Sequence, residues 1–170
     1  MTHSLISLLT LTLLSFLPSL ASAHSVWIEE LPGGQLCVRF AQWGDDYEKS
    51  PGHLDSFAAV AGWAFDGEGK PTLFDVEKGK DQFFLGKADA ARPAFAQAPF
   101  AIRKLHDDKP ARAPIFYCRW QPDGAGAGTP AMTMDIVPTG TPGEARVYIR
   151  GKPLAASKSF SSPLPSTSKS

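Results

Sequence analysis

The sequence has no surplus of charge: 17 Lys and Arg stand against 17 Asp and Glu in 170 residues, for a formal net charge of zero. Without a net positive field, a nucleic-acid ligand is not expected. Cysteine is scarce, with Cys37 and Cys118 alone and no C-x-x-C pair, so neither a thioredoxin-like nor a zinc-ribbon signature is present. Histidine is scarce too, four in all with no HExxH spacing. There is no GxSxG, no phosphate-binding glycine loop and no Cys/His pairing in a recognisable setting, and an enzyme is therefore not expected. The acid pairs Asp45-Asp46 and Asp107-Asp108 read as solvated loop residues, because calcium takes six or more oxygens and no EF-hand loop is spelled.

One long hydrophobic run is present, at the start. Leu5 to Leu20 is almost wholly apolar, carries Pro18, and leads into Ala21-Ser22-Ala23, the small-x-small pattern cut by signal peptidase. We expect residues 1–23 to be an export signal, with His24 first in a periplasmic or extracellular chain that has no transmembrane segment after cleavage. A retained anchor is the competing reading, since roughly 16 apolar residues approach the ~17 that span a bilayer.

Residues 24–155 are the size of one domain. The chain's 15 Gly and 15 Pro exceed what a helical bundle tolerates. Ser25 to Glu29 and Leu36 to Ala41 flank Pro32-Gly33-Gly34 and read as a hairpin. Val60 to Phe65, Thr72 to Val76 and Gln82 to Leu85 are separated by turn residues and suit a meander. Lys87 to Pro114, rich in Ala and Pro, is expected to be a long loop with a short helix near Ala98 to Leu105. Ile115 to Trp120, Met132 to Val137 and Ala145 to Arg150 are three further strands. This punctuation predicts an all-β fold, an immunoglobulin-like β-sandwich. Residues 156–170, dominated by Ser, are expected to be a disordered tail. The two cysteines lie in strand-like runs, and in an exported chain a Cys37–Cys118 disulfide is expected; closing roughly 80 residues, it would contribute on the order of 4 kcal/mol. Two buried thiols are the alternative.

His24 is the sharpest chemical feature. As a first residue it would offer both its α-amine and its Nδ1, nitrogen donors that suit Ni²⁺, Co²⁺ or Cu²⁺ better than Mg²⁺ or Ca²⁺. An α-amine has a reference pKa near ~7.7–8.0, so binding would weaken in mild acid. His53 and His106 are the remaining candidate ligands; each also reads as a solvated loop histidine. A copper oxygenase with a histidine brace would need a second brace histidine that the sequence does not single out. Trp27, Trp43, Trp63 and Trp120 suggest a second class of function, a structural or carbohydrate-contacting envelope module without metal.

Three segments carry a family resemblance: Ala23-His24-Ser25-Val26-Trp27-Ile28-Glu29, Met134-Asp135-Ile136-Val137-Pro138, and Gly143 to Ala155, which ends in Gly151-Lys152-Pro153-Leu154-Ala155. They resemble the exported domain-of-unknown-function family often described as periplasmic components of nickel or cobalt uptake systems. The resemblance implies an immunoglobulin-like β fold outside the cytoplasm, a divalent-metal role centred on His24, and a membrane transporter as partner. In that family a further alternating strand follows Gly-Lys-Pro-Leu-Ala. Here Ala156-Ser157-Lys158-Ser159-Phe160 stands in its place, which suggests a short or truncated form with an unpaired sheet edge.

Overall fold

A computed structural model describes residues 23–42, 44–89, 91–104, 110–123 and 126–155. The expected export signal up to residue 22, the expected disordered tail from residue 156, and His106 lie outside the described residues. Among the described residues eleven strands run in order: β1 His24–Leu31, β2 Gln35–Gln42, β3 Ala61–Phe65, β4 Pro71–Leu73, β5 Glu77–Lys78, β6 Phe83–Lys87, β7 Ala94–Pro99, β8 Ile115–Trp120, β9 Met134–Pro138, β10 Ala145–Ile149 and β11 Lys152–Pro153. They form three antiparallel sheets, ordered β1-β2-β6-β5, β4-β3-β7-β8 and β11-β10-β9. The fold is all-β and sandwich-like, in keeping with the immunoglobulin-like expectation. Among the described residues no helix is long and apolar enough to cross a membrane.

The β1–β2 hairpin forms as expected, with His24 opposite Gln42 and Leu31 opposite Gln35. Its turn needs Gly33 and Gly34, whose φ angles of 86° and 78° disfavour any residue with a Cβ. One face of β2, carrying Leu36, Val38 and Phe40, joins Ile28, Leu54, Phe83, Leu85, Ala94, Ala96 and Cys118 in the core between the first two sheets. Those aliphatic and aromatic side chains are the main favourable term of the fold, each worth about 1.5–3 kcal/mol on full burial.

Three sequence expectations are corrected. The meander is not continuous: β3 pairs with β4, but β6 leaves them to pair with β2 and β5. Strand β2 is buried along nearly its whole length, so it needs a neighbour on each edge, and the apolar Phe83 and Leu85 bring β6 to the edge opposite β1. The Ala/Pro-rich stretch is not all loop, and no helix spans Ala98 to Pro99, which end strand β7. That strand is central, between β3 and β8, and covered on both faces, which removes the polar alternation that would have revealed it. Small Ala94 and Ala96 face the core while Phe95 fills the other side, against Trp63 and Phe65.

The third correction concerns the cysteines. Both are free and buried, not bonded to each other. Cys37 alternates with Leu36 and Val38 and so lies on the face of β2 that carries Arg39, whereas Cys118 belongs to the core on the other side. A strand's two faces point in opposite directions, so the pair cannot bridge. Burial pushes the Cys37 thiol up to about 11 and the Cys118 thiol up to about 12. Cys118 donates to the Val26 carbonyl at 3.5 Å.

An ion pair ties the third sheet to the second. Arg119 on β8 donates from Nε and Nη2 to the two carboxylate oxygens of Asp135 on β9, at 3.0 and 2.7 Å. Asp135 also accepts from the Ala131 amide, and Arg119 lies over the Phe95 ring, 4.7 Å from its centroid.

Candidate metal centre

The hairpin register carries His24 to the end of the core face, where its ring meets Phe40 at a centroid distance of 4.9 Å. After β2 the chain turns back: the Glu48 amide donates to the Phe40 carbonyl at 2.9 Å, which brings Glu48 alongside His24. The next residues enter a single 3₁₀ turn, His53–Ser56. Asp55 holds this turn from below by accepting from Ser50 Oγ and the Gly52 amide, both at 2.8 Å, and by pairing with Lys78. Lys78 first, and then the Gly52 amide and Ser50 hydroxyl, draw the Asp55 carboxyl down to about 2. Gly52 has φ 149°, and a Cβ there would meet the Lys49 carbonyl oxygen at 2.8 Å, so this corner admits only glycine.

Three side chains converge at this corner. His24 Nε2 lies 2.7 Å from Glu48 Oε1, and His53 Nδ1 lies 3.1 Å from the same oxygen. The two imidazoles are edge to face at 6.0 Å, and the nearest donor atoms of all three residues fall within 4.8 Å of one another. Hydrogen bonds from His24 first, and then His53, hold the Glu48 carboxyl below its ordinary range. The cluster is open to solvent, with side-chain exposures of 38% for His24, 24% for Glu48 and 71% for His53.

Two imidazole nitrogens and a carboxylate oxygen form a donor set suited to first-row transition ions. Donors bound to one such ion at ~2.0–2.1 Å stand ~3 Å apart, close to the 2.7 and 3.1 Å that separate the two imidazole nitrogens from the Glu48 oxygen. The geometry therefore brings together two of the three histidines singled out by sequence, and adds a residue that sequence reasoning missed. Glu48 has no motif spacing to either histidine and reads as one more loop acid. The ring nitrogen that faces Glu48 is Nε2, leaving Nδ1, the atom nearest the backbone nitrogen, on the other side of the ring.

The three described tryptophans do not form one platform. Trp63 stacks on Phe95 and Trp120 packs against the core; Trp27 is half-buried beside Tyr47, and Trp43 lies outside the described residues. Comparison with known proteins gives no match to a family model, to a curated protein or to a solved structure.

Proposed function

We propose that the protein is an exported, non-enzymatic binder of a divalent transition metal, Ni²⁺, Co²⁺ or Cu²⁺, which it buffers or hands to a membrane transporter. The observation that carries this reading is the convergence of His24, Glu48 and His53 from the start of β1, the loop after β2 and the 3₁₀ turn. The sequence resemblance to nickel and cobalt uptake components supports the choice of ion and partner. Cleavage after Ala23 would free the His24 α-amine, a further nitrogen donor at the same end of β1.

Calorimetric titration with each ion, using protein that begins at His24, tests the reading. Binding is expected to weaken about tenfold or more in Glu48→Gln and His53→Ala, and again when one extra residue precedes His24. Equal affinity in all four proteins would refute it.

A further inference from the structure

The neutral average of the chain conceals a local asymmetry. From Ala145 onward the sequence holds Arg146, Arg150, Lys152, Lys158 and Lys169, and no Asp or Glu. The third sheet, to which this segment contributes β10 and β11, carries with the residue that follows it five of the eight large exposed hydrophobic side chains among the described residues: Met134, Ile136, Val147, Ile149 and Leu154.

Register puts these five on one face. Ile149 is opposite Met134 and Val147 opposite Ile136, and directly opposed residues of an antiparallel pair share a side. Leu154 follows Pro153, which pairs with Tyr148, and its amide donates to the Val147 carbonyl at 2.9 Å, so it joins them. The other face of β9 is already used, with Asp135 and Val137 buried against the second sheet. Ile136 is 60% exposed and Leu154 51%. A contiguous aliphatic face of this kind marks an interaction surface. Arg150 and Lys152 stand at its hairpin end, both exposed.

We propose that this face seats the protein on an anionic lipid surface, with the aliphatic side chains entering the headgroup boundary and the basic residues pairing with lipid phosphates. Charge decides among the occupants. A second copy would bring the same Arg150 and Lys152 to the interface, where like charges oppose association. Nucleic acid would answer the cations and leave five aliphatic side chains in water. An anionic bilayer answers both features at once. This surface is independent of the His24, Glu48 and His53 cluster.

The test is co-sedimentation of the chain from His24 to Ser170, which contains every described strand, with lipid vesicles. Binding is expected to phosphatidylcholine mixed with phosphatidylglycerol, to fall with added salt, and to be absent with phosphatidylcholine alone. The double variant Arg150→Glu/Lys152→Glu, and separately Ile136→Asp, should each reduce partitioning about tenfold or more. Should Ile136→Asp fail to fold, the turn variant carries the test alone. Equal binding to both vesicle types, no binding to either, or undiminished binding of the turn variant would overturn the proposal. Self-association that Ile136→Asp abolishes, without vesicle binding, would do so too and would assign the face to a second copy.

Discussion

Two polar clusters in this molecule have the same shortest contact, 2.7 Å, and opposite surroundings. In the Arg119–Asp135 pair the side chains are 7% and 0% exposed; in the His24–Glu48 pair they are 38% and 24% exposed. Burial changes what the contact is worth. Without Asp135, Arg119 would keep only the neutral Gln121 Oε1 and Thr129 carbonyl, which do not offset a desolvated charge as a carboxylate does, so the first pair acts as a structural clasp between β8 and β9. At the second, water can replace either partner, and holding the groups together adds little to stability. An exposed arrangement of two imidazoles and a carboxylate is thus a poor structural device.

The largest effect should come from breaking the clasp. Asp135→Ala leaves Arg119 buried without a counter-ion, and is expected to cost about 3–5 kcal/mol in urea unfolding. Glu48→Gln should change stability by less than about 1 kcal/mol while weakening metal binding, and a loss as large as that of Asp135→Ala would erase the contrast. Acid should act on the exposed corner through its two carboxylates. Both have lowered folded values, so their contribution is complete above their ordinary range and is lost as pH falls through the depressed values. For Asp55 that window runs from 3.8 to about 2, and proton chemical shifts of His53 should report loosening of its turn there. The smallest effect is expected from reductant. With Cys37 and Cys118 apart, the unfolding midpoint should not move, whereas a disulfide between them would make it fall.

Local chemistry made much of the fold legible in the sequence. Pro32-Gly33-Gly34 between two alternating runs specified the first hairpin, and Ile115 to Trp120 announced β8. What was hidden depended on neighbours distant in sequence. Strand β7 lacks a period because both its faces are covered, and β6 joins β2 because β2 has an open edge to fill. The site divides in the same way. His24 stood out because it follows the small-x-small run Ala21-Ser22-Ala23, but Glu48 is placed by a backbone hydrogen bond to Phe40, which no spacing rule encodes. The disulfide expectation failed because two strand-like runs do not disclose which face each cysteine occupies.

The contrast between the clusters is tested most directly by the unfolding midpoint with and without saturating Ni²⁺, for protein beginning at His24 and for its Glu48→Gln and Asp135→Asn variants. A ligand that binds only the folded state at ~100 times its Kd adds ~2.7 kcal/mol. The account predicts that Ni²⁺ raises the midpoint of the parent protein and, from a lower starting point, of Asp135→Asn, while barely moving Glu48→Gln. A midpoint that Ni²⁺ leaves unchanged in the parent, or raises equally in Glu48→Gln, would contradict it.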